Sequence, residues 1–80
     1  MKTVHVQYYA MLREGAGKDQ ETIQTQAVSL RELFEEIAVR YSFSIPITSL
    51  KVAVNDEIRV WESPLNDGDT ISLIPPVSGG

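Results

Sequence analysis

Val28-Ser29-Leu30-Arg31-Glu32-Leu33-Phe34-Glu35-Glu36-Ile37-Ala38-Val39-Arg40-Tyr41 carries the clearest periodicity in the chain. Leu30, Leu33, Phe34, Ile37, Ala38 and Tyr41 recur at the spacing of one helical stripe, while Arg31, Glu32, Glu35, Glu36 and Arg40 take the opposite face. Ser29 and Glu32 form a capping box: the Ser29 hydroxyl accepts from the Glu32 amide, and the Glu32 carboxylate reaches back to the Ser29 amide. Val28 and Leu33 stand at the spacing of a hydrophobic staple around it. A Glu36–Arg40 pair on the exposed face adds about 0.2–0.5 kcal/mol. The helix ends near Tyr41, because Ser42 to Pro46 breaks the pattern.

A lone amphipathic helix needs an apolar layer to lie on, and the flanking segments supply strands. Upstream, Val4, Val6 and Tyr8 alternate with Thr3, His5, Gln7 and Tyr9, the period of a strand over residues 2–9 with one face on a core. Residues 13–20, with two glycines among polar groups, read as the connection of a hairpin. The return strand, about Glu21 to Val28, is rich in Thr, Ile, Gln and Val. Ile23 and Val28 fall on different faces, which predicts a bulge or an early strand end.

Downstream, Leu50, Val52 and Val54 alternate with Lys51 and Ala53; Asn55-Asp56 makes a tight turn, and Ile58-Arg59-Val60 a short strand. Pro64-Leu65-Asn66-Asp67-Gly68-Asp69 is a second turn, followed by a last strand from Thr70 to Ile74 with Ile71 and Leu73 on one side. The order is strand, strand, helix, strand, short strand, strand. It predicts an α+β fold of the β-grasp, ubiquitin-like kind: a mixed sheet of about five strands with one main helix across one face, the helix serving as the crossover to a parallel terminal pair. Residues 1–74 form the domain and residues 75–80 an extended tail.

The chain has 80 residues, 42% of them hydrophobic, a net charge of −4 and no cysteine. Leu, Ile, Val and Phe account for 23 of the 80, enough for one packed core and too little for a second domain. A chain this short buries only about 60% of its unfolded surface, so a deep catalytic cavity within it is not expected and chemistry calls for a partner. The acidic balance disfavours nucleic acid, whose phosphates need Lys and Arg. Without cysteine there is no disulfide framework and no thiolate metal site. Neither an export signal nor an eighteen-residue apolar run is present, so no membrane role is expected and the cytoplasm is the expected compartment.

Few side chains suggest chemistry of their own. His5 has no second His or Cys to complete a metal site, and reads as a surface histidine. Glu35 with Glu36, and Asp67 with Asp69, read as helix solvation and turn chemistry. Gly15-Ala16-Gly17 lacks the spacing and lysine of a phosphate loop. Trp61 and the three tyrosines lack interleaved cations, so packing or a protein interface is the better reading than a nucleic-acid platform.

The segment Pro75-Pro76-Val77-Ser78-Gly79-Gly80 is different. Two prolines hold the backbone extended and remove two donors, so the segment cannot continue a central strand and projects outward. Six extended residues reach roughly 20 Å. Gly79 and Gly80 lack Cβ atoms, so a narrow channel can close around them and a carboxylate on Gly80 is open to attack from any side.

Tyr8-Tyr9-Ala10, Leu12-Arg13-Glu14, Val52-Ala53-Val54-Asn55, Pro64 to Asp69 and above all Ile74 to Gly80 resemble the small subunit of molybdopterin synthase, MoaD, a sulfur-carrier family. The resemblance covers nearly the whole chain. Asp56 departs from the glycine or glutamine frequent there, and Tyr8-Tyr9 from frequent phenylalanines. It implies that the Gly80 carboxylate is adenylated by an E1-like, MoeB-like enzyme using ATP, converted to a thiocarboxylate, and inserted into a larger MoaE-like catalytic subunit. There its sulfur passes to cyclic pyranopterin monophosphate on the way to molybdopterin. The chain itself would bind no cofactor or metal, supply no catalytic group besides Gly80, and be inactive alone. Pro75, Pro76, Val77, Ser78 and Gly79 would lie in the partner's active site, and Arg13, Ile74 and Val77 at the interface of a heterotetramer. A thiamin-type sulfur carrier and a ubiquitin-like protein modifier are the alternatives. Pro75-Pro76-Val77-Ser78 favours the molybdopterin type.

Overall fold

A computed structural model describes residues 1–76. Five strands, β1 (Lys2–Tyr8), β2 (Gln20–Thr25), β3 (Lys51–Val54), β4 (Glu57–Arg59) and β5 (Thr70–Ile74), form one mixed sheet in the order β2-β1-β5-β3-β4. The pairs β1–β2, β3–β4 and β3–β5 are antiparallel, and the central pair β1–β5 is parallel. This is the β-grasp order that the sequence implies.

Helix α2 (Leu30–Tyr41) lies where its apolar stripe predicts. Leu30, Leu33, Phe34 and Ile37 are buried and join Val4, Val6, Tyr8, Val52, Val54, Ile71 and Leu73 from the sheet in one core. Its N-terminus is satisfied from two sources. The Ser29 hydroxyl accepts from the Glu32 amide at 3.2 Å, and the Leu30 and Arg31 amides donate to the carbonyls of Ser63 and Trp61. The Glu32 carboxylate takes the Val28 amide at 3.1 Å rather than that of Ser29, one residue further back than a regular capping box. Val28 is 60% exposed, so no staple with Leu33 forms. Ser42, at φ 57°, ends the helix with its amide on the Ala38 carbonyl. Glu36 accepts from the Thr25 hydroxyl at 2.8 Å, and among the described residues it makes no ion pair with Arg40.

Two local elements, a second helix and a 3-10 turn, are absent from the sequence reading. The β1–β2 connection is not a plain loop. It contains a second helix, α1 (Ala10–Ala16), which buries Leu12 and ends at Gly17 in the left-handed region, φ 76°. Gly15 sits against Phe43: a Cβ there would lie 2.8 Å from the ring, so close packing explains this glycine. β2 stops at Thr25, the early end rather than the bulge, with Ile23 and Thr25 facing the core. A 3-10 turn at Ile47–Ser49 leads into β3. Asn55 (φ 51°) and Asp56 (φ 72°) take the positive-φ turn expected of them.

Glu21 is a polar clasp at the core's edge. Its Oε2 accepts from the hydroxyls of Tyr8 at 2.5 Å and Tyr41 at 2.6 Å, and its Oε1 from Lys18 at 3.3 Å. Tyr8, Tyr41 and Phe43 stack around it, with Tyr8 edge-on to both other rings.

Candidate functional site

The helices cover one face of the sheet and leave the other open. On the open face the residues in register across the strands are Gln20, Gln7, Ser72, Ala53 and Ile58. Ile71 and Leu73 point into the core, so Thr70, Ser72 and Ile74 point to the open side, as their alternation predicts.

The ladder ends where the sequence says it must. Ile74 is the last residue of β5 and pairs with Lys51. Pro75 and Pro76 follow without amide hydrogens to donate, and exposure rises from half-buried Ile74 and Pro75 to exposed Pro76. A shallow depression beside this exit is lined by Thr48, Ser49, Lys51, Ile74, Pro75 and Pro76. A second, on the open face, is lined by Tyr9, Ala53, Asp56, Ile58, Ser72 and Ile74. Val77, Ser78, Gly79 and Gly80, the remaining candidates, lie outside the described residues.

Arg13 sits on α1, exposed, with Nε 3.6 Å from Asp19 Oδ1. It borders a third depression with Gln7, Tyr9 and Gln20. Tyr9, 45% exposed, therefore links Arg13 on one side to Ile74 on the other. The sequence reading joined Ile74 to Val77 and the prolines. The structure keeps Ile74 beside Pro75 and Pro76 at the exit and adds Tyr9, Ala53 and Ile58 on its other side. That Ala53 and Ile58 are its neighbours was legible only once the register of β3, β4 and β5 was known.

The other titratable groups serve the fold. His5 is exposed, its Nδ1 3.1 Å from the Thr22 hydroxyl. Asp67 accepts the Thr3 amide, and Asp69 accepts the Asn66 amide and the Asn55 side chain. Trp61 packs on Phe34 with ring centroids 5.5 Å apart. Burial, the hydrogen bond to Glu21 and that carboxylate's charge push the Tyr8 hydroxyl far above the ordinary tyrosine range. Burial alone would raise Glu21, but the hydroxyls of Tyr41 and Tyr8 and the Lys18 ammonium outweigh it and hold the carboxyl below its usual range. No group of three or more metal-ligating side chains occurs among the described residues, and no described helix is long and apolar enough to cross a membrane. What the arrangement offers a partner is an uncovered, partly apolar sheet face with a proline-containing segment leaving the end of its central strand.

Comparison with known proteins gives a consistent picture. Residues 6–80 match the ThiS family. The molybdopterin synthase sulfur carrier subunit of Escherichia coli is 29% identical, over 96% of this chain and 99% of that protein. Among solved structures, molybdopterin converting factor subunit 1 of Pyrococcus furiosus superposes with a TM-score of 0.83 at 32% identity, covering 96% of this chain and all of that one. Subunit 1 in the complex of subunits 1 and 2 of the molybdopterin-converting factor of Helicobacter pylori gives 0.68 at 29%, covering 98% and 99%.

Proposed function

The chain belongs to the ThiS family, and on that premise we propose that it is a sulfur carrier, the small subunit of a molybdopterin synthase. The observation that carries this reading is the near full-length match to a protein named as that subunit, in a chain whose Ile74-Pro75-Pro76 leaves the sheet without further pairing.

Gly80 is the reacting residue. A carboxylate is a poor acyl donor. An E1-like, MoeB-like enzyme joins the Gly80 carboxylate to AMP, releasing pyrophosphate from ATP, and a sulfur nucleophile then displaces AMP to leave a thiocarboxylate. The ATP is the activating enzyme's substrate, and this chain needs no cofactor of its own. The charged tail enters a MoaE-like large subunit, with Pro75 and Pro76 holding it extended and Val77, Ser78 and Gly79 threading a channel. There the sulfur is delivered to cyclic pyranopterin monophosphate. Arg13, Ile74 and Val77 lie at that contact, two copies of each subunit assemble, and the reaction runs in the cytoplasm. The Helicobacter pylori complex supports the requirement for a second subunit.

The test is the intact mass of the chain after incubation with the E1-like enzyme, ATP and a sulfur donor. Exchange of one oxygen for sulfur at Gly80, followed by its loss when the large subunit and the pterin precursor are added, is the expected result. Thiocarboxylate that the large subunit does not consume would point to another pathway of the thiamin type. Covalent adducts on lysine side chains would replace the carrier with a protein modifier.

A further inference from the structure

Across the open face the chemistry of the register row changes from amide through hydroxyl to hydrocarbon: Gln20, Gln7, Ser72, Ala53, Ile58. No member of the row is ionised. Gln7 stands next to its centre. Its Oε1 accepts from the Ser72 hydroxyl at 3.0 Å and from the Tyr9 hydroxyl at 3.1 Å. A carbonyl oxygen has two lone pairs, so two donors saturate it and hold the carboxamide in place. The amide nitrogen has no partner among the described residues. Since no described buried side-chain nitrogen is left unsatisfied, this one faces solvent. Around it Ser72 and Ala53 are buried even though no helix covers this face, while Tyr9 and Ile58 stand 45% and 61% exposed.

Resting on the function proposed above, we infer that Gln7 is a specificity-determining residue for docking of the large catalytic subunit. Its fixed carboxamide offers N–H donors to a carbonyl acceptor on that partner, within apolar contacts to Tyr9, Ile58 and Ile74. The position of the exit points to this occupant. The chain leaves the sheet at Ile74, which borders the same depression as Tyr9, Ala53 and Ile58. Ile74 is shared between this depression and the one beside the exit, so a protein that takes the residues beyond Pro76 into its own active site sits astride Ile74 and reaches this face. The row itself carries no charge, so at Gln7 discrimination rests on hydrogen-bond matching, with the charges of Asp56, Lys51 and Arg13 at its borders. An acceptor opposite Gln7 replaces the water lost on docking, whereas an apolar group there strands the donor and weakens the complex.

The experiment measures affinity of the full chain for the purified large subunit by calorimetry, with thermal unfolding and synthase kinetics alongside. Gln7→Glu keeps an oxygen for Tyr9 and Ser72 but puts a second acceptor where the donor was. Gln7→Leu removes the donor without adding charge. Both are expected to weaken binding, Gln7→Glu by about tenfold or more, and to raise KM for the small subunit with kcat unchanged. The melting temperature should stay near that of the wild type in Gln7→Glu and fall in Gln7→Leu, which strands the Ser72 and Tyr9 hydroxyls, so affinities are compared at a temperature where both variants are folded. Wild-type affinity in both variants, or tighter binding by Gln7→Leu, overturns the assignment. If Gln7→Glu does not fold, Gln7→Leu decides by the same criteria. If the wild-type chain does not bind the large subunit, the functional reading itself fails, and this inference with it.

Discussion

The Tyr41 hydroxyl, at the end of α2, donates to Oε2 of Glu21 on β2 at 2.6 Å. The same oxygen receives Tyr8 from β1, so one carboxylate ties the main helix to the first hairpin. The folded state favours its ionised form. A depressed carboxyl pKa contributes stability that is present above the ordinary value near 4.5 and is lost as pH falls through the folded value. Glu21→Gln should cost about 1–3 kcal/mol at neutral pH, and its melting temperature should fall less steeply on acidification than that of the wild type. Parallel acid limbs in the two proteins would contradict the clasp.

Tyr8 acts at the other end of the scale. Its folded pKa lies above the unfolded value near 10, so its contribution is intact below pH 10 and drains away as pH rises beyond it. Tyr8→Phe should be less stable than the wild type at pH 7 and should lose less on going to pH 11, as followed by circular dichroism.

Leu33 is 1% exposed beneath α2. Leu33→Ala should cost about 2–5 kcal/mol through the cavity it leaves. At a temperature where the variant remains folded, thiocarboxylate formation at Gly80 should be unchanged by mass. Unaltered thermal unfolding would show the core to be misassigned.

Asn55 closes the β3–β4 turn at φ 51°, accepts the Thr70 amide and donates to Asp69. Asn55→Ala gives up both bonds and a tolerated left-handed residue, a loss of about 1–3 kcal/mol. Its neighbour Asp56, at φ 72°, carries a Cβ that this conformation disfavours, so Asp56→Gly should be neutral or stabilising by up to about 1 kcal/mol. Chemical denaturation of the two variants reads the contrast directly.

Deletion of Gly80, or extension by one residue beyond it, should abolish sulfur transfer in the synthase assay while leaving the melting temperature in place. Every described core side chain lies at or before Leu73. Full activity in either variant would end the carrier reading.

How much of this was written in the residues follows from the forces acting on each segment. α2 and the alternating strands were legible because period and burial agree: Leu30, Leu33, Phe34 and Ile37, like Val4, Val6 and Tyr8, all reach the core. α1 was not. Seven residues with one buried side chain, an internal Gly15 and no side-chain cap on Tyr9 give almost no stripe to detect. The usable signal was Gly17, which closes the helix in the left-handed region. The prolines and glycines of the tail were conspicuous because they oppose regular structure. The open-face row was hidden because it is non-local: Gln7 and Ser72 are 65 positions apart, and only pairing makes them neighbours.

The parallel β1–β5 pair has a consequence for biosynthesis. β5 lies between β1 and β3, so the strand that joins the two halves of the sheet is translated after all the others. A nascent chain can close the β1–β2 hairpin, wind α2 against it and pair β3 with β4, but the two halves of the sheet have no shared strand until residue 74 clears the ribosome. The segment that leads to Gly80 is thus offered only by a chain whose last strand has already been made. A partner that took hold of the sheet face and the tail together, as proposed above, would therefore meet only chains in which β5 has been made to join the two halves of the sheet.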